Sequence, residues 1–436
     1  MISNKLIAID FGSTRISAMA AEVLENGALK IYSEESKTSD DVRWGIVEKP
    51  SGASFKVSEL LKLLKNSARM SDISHVSVSV SAKSMKQITL SISRFVSKPN
   101  VVTEDLLSEM LEECERKSQQ SEISVFDIIP VSYLLDGKRM DEPVGHKANQ
   151  ITANYHVVFG NSIIKSELER CFDRTGIVLE YSPLVAEALS TVVFEEMERE
   201  IGCALINLGA TTTTFAAYHE GVLQQLLVIP LGAKNITKDI QELGITENNA
   251  ERLKCLKGCA LESMVSDPMY IQIASVEDEN QPVKISTKFL ANIIEARLEE
   301  ILQPVIDRIA NLPFELDAGI VITGGGSKLK NIIDFIAEKT GIYARFGDHS
   351  EWLSEDTDEK YHDPSYAQLV GTILLTQEYR KEHPIEETIT EPDKKPKLPK
   401  RKFGEKITER VFNFFNDDNK LSLSNELIRK YLVKYK

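Results

Sequence analysis

Leu6-Ile7-Ala8-Ile9-Asp10-Phe11-Gly12-Ser13-Thr14-Arg15-Ile16-Ser17-Ala18 is echoed by Ala204-Leu205-Ile206-Asn207-Leu208-Gly209-Ala210-Thr211-Thr212-Thr213-Thr214-Phe215-Ala216, with Asn207 standing 197 positions after Asp10. Each stretch reads as a buried strand, a tight turn of glycine and hydroxyl residues, and a second strand. Backbone N–H groups and hydroxyls in such a turn can hold phosphate oxygens, and Asp10 can hold a magnesium ion through water. Two copies in one chain predict two lobes that grip a nucleotide's phosphate tail from opposite sides. The pair is not symmetric, because Asp10 in the first copy is matched by Asn207 in the second.

The rest of the composition narrows the class. With 436 residues, more than one domain is expected. Hydrophobic residues at 42% and charged residues at 27% fit a soluble protein, and no apolar run reaches the ~18 residues that span a bilayer. A net charge of −14 argues against nucleic acid as a partner, although a basic patch lies near the C-terminus. The five cysteines are scattered, and Met1-Ile2-Ser3-Asn4-Lys5 runs straight into a strand without a signal peptide. Free thiols in a reducing cytoplasm are expected. Cys255 and Cys259, spaced as neighbours on a helix with no histidine nearby, are expected to pack in a core.

Along the chain, a turn at Glu25-Asn26-Gly27 predicts a hairpin over residues 5–34. Phe55, Val57, Leu60, Leu61 and Leu64 predict an amphipathic helix, and 75–80 alternates as a strand. Residues 85–160 read as an inserted strand–helix–strands module whose helix is capped by Thr103. A helix through Arg174 and another over 183–198 precede the second hairpin. Residues 233–300 read as helix-rich with a short strand at 269–273. The helical pattern 286–309 is expected to be interrupted at Pro304. Gly319 to Leu329 is a buried strand, a glycine turn and a helix start, and Asp363 to Ala367 opens a final helix. Pro384, Pro392, Pro396 and Pro399 among charges mark a linker. Beyond it, Phe403, Ile407, Val411, Phe414 and Phe415 share one helical face, and Lys400, Arg401, Lys402, Lys406 and Arg410 make the segment basic. Leu421 to Lys436 carries a second helical pattern whose role the sequence leaves open.

There is no G-x-x-x-x-G-K-[ST], and Asp10-Phe11-Gly12 has no H-R-D segment before it, so P-loop and protein-kinase schemes are set aside. The repeated hairpins, a first connecting helix at 182–192, the glycine turn at 319–331 and a second connecting helix at 363–374 together resemble the actin-like ATPases. The inserted module sharpens this. Ile128-Ile129-Pro130-Val131-Ser132-Tyr133-Leu134-Leu135-Asp136-Gly137, Glu142-Pro143-Val144-Gly145-His146-Lys147-Ala148 and His156-Val157-Val158 resemble segments of the bacterial FtsA family, as does Lys257-Gly258-Cys259-Ala260-Leu261 in the second lobe. The resemblance runs through residues 5–378. It implies an α/β, two-lobed actin-like ATPase fold with an inserted small α+β (SHS2-type) domain and a flexible C-terminal tail. The implied division is 1–84 with 161–200 as the first lobe core, 85–160 inserted, 201–232 with 301–380 as the second lobe core, and 233–300 as its outer subdomain. A linker (381–402) and a membrane-targeting tail (403–436) follow.

The resemblance also implies roles. Asp10 would organise magnesium through water. Gly12, Ser13, Thr14 and Arg15 would meet the phosphates of ATP from one side, and Gly209, Ala210, Thr211 and Thr212 from the other. Gly324, Gly325, Gly326 and Ser327 would lie against the adenosine, with Glu251 and Lys254 beside the ribose. Arg15 stands where relatives often have Lys. Asn207 and Thr214 stand where Asp is usual, and Tyr181-Ser182-Pro183 lacks the acid or amide that orients water, which leaves Glu187 as the nearest catalytic substitute. Binding survives such changes more easily than hydrolysis, so slow hydrolysis or none is expected. The implied partners are other copies in a filament, the C-terminal peptide of FtsZ, an anionic membrane, and further division proteins through the inserted domain. The implied location is the cytoplasmic side of the inner membrane at the septum. The rival readings are a PilM-like protein of pilus assembly, which would lack the basic tail, and a metabolic kinase of the same fold.

Overall fold

The computed structural model describes residues 5–384, apart from 71, 99, 120–121, 174 and 277–281. The basic tail and both of its helical patterns lie outside the described residues, as does Arg174. Leu6–Phe11 is the middle strand of a five-stranded sheet. On one side it forms a hairpin with Arg15–Val23, Leu6 facing Ala21 and Phe11 facing Ile16, and the meander continues into Leu29–Thr38 through the turn at Gly27. On the other side lie two parallel strands, His75–Ser77 and Val178–Tyr181. A second sheet repeats this plan. Cys203–Leu208 is its middle strand, Thr213–His219 and Val222–Ile229 are the antiparallel arm, and Ile320–Thr323 and Ala344–Phe346 are the parallel arm. Leu6 to Ile9, Ala204 to Ile206 and Ile320 to Ile322 are buried without alternation, as expected of strands covered on both faces.

Two helices join the sheets, Val185–Val193 and Ala367–Glu382. They touch backbone to backbone at Gly371, where a Cβ would lie 1.8 Å from the carbonyl oxygen of Ala188. The expected helix over 183–198 is two helices. The first ends at Phe194, which is extended, and Glu195 caps a short second helix, Glu196–Ile201, through a reciprocal capping box. The run Thr191-Val192-Val193 is a weak helix former, so the chain breaks where a better cap is available. By contrast, Thr287–Ile309 runs through Pro304 unbroken. Leu298, Ile301, Leu302 and Val305 are buried on either side of the proline, and their packing outweighs the one backbone bond it removes. The helix Pro50–Ser67 buries Ala53, Val57, Leu60, Leu61 and Leu64, while Phe55 is off that stripe and 64% exposed.

The segment between the parallel strands of the first sheet builds its own four-stranded antiparallel sheet, in the order Lys86–Phe95, Gln150–Asn161, Ile123–Leu135, Lys138–Met140. Helix Glu104–Ser118 covers it, and Thr103 accepts the capping bond from the Leu106 amide at 3.2 Å. Ile92, Met110, Ile151 and Tyr155 form a core separate from those of the two lobes. This module also touches the second lobe. The Gln87 side-chain amide donates to the Gln224 carbonyl at 3.0 Å, and Arg139 pairs with Glu220.

Candidate functional site

The two hairpin turns, the glycine turn and the start of the second joining helix meet around a cleft of about 660 Å³. It lies at the C-terminal ends of the central strands, where open α/β sheets place ligands. The turns share one geometry. A Cβ on Gly12 would come within 2.6 Å of the Arg15 carbonyl oxygen, and one on Gly209 within 2.9 Å of the Thr212 carbonyl oxygen. The second turn is fixed from behind by helix Ala233–Gln241, whose Ala233 and Lys234 amides donate to the carbonyls of Gly209 and Ala210 at 2.9 and 2.8 Å. Across the cleft the Ser13 and Thr211 hydroxyls are 2.6 Å apart, one donating to the other. The Trp44 amide donates to Thr211 as well, and Ser81 meets Thr214 at 2.9 Å.

At the glycine turn, Gly324 has φ +86°, and a Cβ there would collide with Asn207 Oδ1 at 2.3 Å. A Cβ on Gly326 would strike Leu208. Gly325 differs from both, because nothing lies within 4 Å of its Cβ position and it faces open cleft.

Asp10 is the carboxylate at the first hairpin turn of this site. Burial pushes its pKa up to about 6, against the opposing pull of Arg15 and a hydrogen bond from Gln368. Lys254 is buried and acts as a strut. Its ammonium donates to the Ala233 carbonyl at 3.1 Å, to Thr237 at 2.8 Å and to Glu251 at 2.8 Å. Burial works against the Glu251 carboxylate, but the bonds from Lys254 and Thr237 prevail and hold its pKa below the usual carboxylate range.

Of the sequence-derived candidates, Asp10, Gly12, Ser13, Thr14, Arg15, Asn207, Gly209, Ala210, Thr212, Glu251, Lys254, Gly324, Gly325 and Gly326 line the cleft. Thr211 sits behind this lining as the clasp between the turns. Ser327 is buried and spends its hydroxyl on the Gly324 carbonyl at 2.7 Å, which holds the turn together. Glu187 does not line the cleft, so the catalytic role given to it is not supported by its placement. It lies in the first joining helix near Asp127 of the inserted module, and burial followed by that neighbour pushes its pKa up to about 7. Cys255, expected in a core, is exposed and lines the cleft, whereas Cys259 is buried. Among the lining residues that sequence reasoning missed is Gln368, whose side-chain amide donates to Asp10 Oδ1 and to Ser79 Oγ, both at 3.0 Å. Its signal was available, as the one polar side chain in the opening turn Ala367-Gln368-Leu369-Val370-Gly371.

Among the described residues no group of three or more His, Cys, Asp or Glu side chains is placed to hold a metal ion. A buried carboxylate facing a cradle of glycines and hydroxyls fits a magnesium ion carried largely by phosphate oxygens and water.

The family model described as "Cell division protein FtsA" matches residues 204–371, and that of the "SHS2 domain inserted in FTSA" matches 82–159, together more than half of the chain. The chain belongs to the FtsA family of cell-division proteins. It is 26% identical over 409 residues to the cell division protein FtsA of Borreliella burgdorferi, covering 93% of this chain and 98% of that one. To FtsA of Neisseria meningitidis it is 24% identical over 372 residues, 84% and 88% of the two chains. Among solved structures, the PilM-PilN type IV pilus biogenesis complex is similar with TM-score 0.61 at 15% identity, covering 85% and 98%. MreB5 of Spiroplasma citri bound to ADP is similar with TM-score 0.55 at 13% identity, covering 87% and 98%. At these identities the structures show the fold alone, and that fold is the two-lobed actin-like one. The sequence matches to both family models and to the FtsA relatives, and not the architecture, which the pilus complex shares, decide for this family.

Proposed function

We propose that this FtsA-family chain binds ATP with magnesium between its lobes, assembles with copies of itself, and ties FtsZ to the cytoplasmic face of the bacterial inner membrane at the division site. The observation that carries the nucleotide is the pair of equivalent turns, Gly12 to Thr14 and Gly209 to Thr212, facing each other across one cleft with Asp10 at its floor. The turn amides and hydroxyls would take phosphate oxygens, Asp10 would hold water of the magnesium shell, and Gly325 leaves room for the nucleoside. Bound magnesium would neutralise phosphate charge. MreB5, which shares the fold, was solved bound to ADP, and this supports a nucleotide as the ligand here.

Hydrolysis is slow or absent in this reading. Asn207 adds no negative charge opposite Asp10, and Glu187 lies outside the cleft lining, near Asp127. Nucleotide then acts by closing the lobes and supporting assembly. For FtsZ, the outer part of the second lobe offers Met264, Met269, Tyr270 and Phe289, apolar and about half exposed or more, with Lys284 and Lys288 nearby in sequence. Such a surface suits an apolar peptide that carries acidic residues. The tail adds ~1 kcal/mol per basic residue near anionic lipid, so one copy binds weakly and an array binds well.

The test is electron microscopy on anionic lipid with ATP, ADP or no nucleotide, with and without FtsZ tail peptide, beside a phosphate-release assay. Filaments on lipid that depend on nucleotide, with far less than one ATP turned over per second, are expected. Turnover of several ATP per second would remove the view of nucleotide as a latch.

A further inference from the structure

Gln368 occupies a place that the proposed function leaves unused. An ionised carboxylate only accepts hydrogen bonds, so the nitrogen of the Gln368 amide must face Asp10, and the same nitrogen reaches Ser79. Ser79 follows the parallel strand His75–Ser77, so one side chain spans two neighbouring strand ends of the first sheet. The side-chain oxygen of Gln368, Oε1, makes no hydrogen bond to protein among the described residues, and the side chain lines the cleft. Gln368 opens the second joining helix, and Gly371, three residues on, is where that helix meets the first one backbone to backbone. A shift of either helix at this crossing is therefore felt at Gln368 within one helical turn.

We propose that Gln368 is a positioning residue for Asp10, setting the orientation in which the carboxylate meets a magnesium–nucleotide complex and linking that orientation to the crossing of the two joining helices. It acts through Asp10 and touches no reacting atom. The inference rests on the nucleotide reading above and adds to it a specific link between metal dependence and the hinge.

The experiment is titration of the full-length chain with a fluorescent ATP analogue at pH 8, once with magnesium and once with EDTA, for the wild type, Gln368→Ala and Gln368→Met. The wild type is expected to gain affinity from magnesium. Gln368→Ala should lose about tenfold of the magnesium-dependent gain, the ratio of its affinities with magnesium and with EDTA, the usual effect of deleting a hydrogen bond to a charged group. Gln368→Met keeps the length, removes the donor and adds no charge, so it should lose about as much. It also decides the matter should the alanine variant fail to fold. A magnesium-dependent gain unchanged in either folded variant overturns the positioning role while leaving the nucleotide reading intact. A wild type that binds no analogue under either condition overturns both.

Discussion

Asp10 and Asn207 end equivalent strands of equivalent sheets, and only the first can carry charge. The glycines around them allow a sharp residue-scale contrast. Gly324→Ala must take a left-handed φ and push into Asn207, so it should cost about 2 kcal/mol or more and lower the melting temperature by at least about 3 °C. Gly325→Ala meets no atom within 4 Å, so its melting curve should match the wild type while ATP-analogue affinity falls. Thermal melts and binding titrations on the two variants separate fold from site. A second test concerns Glu187, whose folded pKa of about 7 lies above its ordinary 4.5 because burial and Asp127 disfavour the charge. The associated stability is fully present below about pH 4.5 and is lost as pH rises through 7. Glu187→Gln should therefore be more stable than wild type at pH 8, on the order of 2 kcal/mol, and equal to it near pH 4, with nucleotide affinity unchanged. The turns were legible in the sequence because glycine, hydroxyl and acid fall at fixed spacing after an apolar run. Glu187 falls outside the cleft lining because which way a helical side chain points depends on where the helix starts. That start, at Val185, is fixed by tertiary packing.

At the scale of elements, the joining helices carry the largest steric constraint outside the cleft. A side chain at Gly371 has no room, since its first carbon would lie 1.8 Å from the Ala188 carbonyl oxygen. Gly371→Val should force the helices apart, lower the melting temperature by several degrees (about 2 kcal/mol or more) and weaken nucleotide binding together with it. A variant that melted as wild type and bound ATP normally would show that the crossing does not set the cleft. Most elements here followed from their periodicity, including the inserted module and its Thr103 cap. The failures share a cause. Pro304 stays helical because of buried neighbours on Thr287–Ile309, and the break at Phe194 reflects a competing cap downstream, neither of which a local pattern weighs.

For the molecule as a whole, the described residues from Lys5 to Pro384 fall in one compact unit. A chain ending at Pro384 should keep the melting temperature and ATP affinity of the full chain while losing co-sedimentation with anionic vesicles. Retained sedimentation would assign membrane recruitment to the folded body. The duplicated architecture was readable from two short hairpins. The contact between the inserted module and the second lobe was not, because Gln87, Arg139, Glu220 and Gln224 come from two unconnected stretches and carry no shared pattern. That contact has a thermodynamic consequence. The module grows out of the first lobe yet rests on the second through the Gln87–Gln224 bond and the Arg139–Glu220 pair, so it bridges the joint between the lobes. Any ligand of the module that breaks this footing loosens the joint. By reciprocity, a nucleotide that tightens the joint must lower that ligand's affinity by the same factor, so the inserted module and the cleft would compete through the joint without sharing an atom.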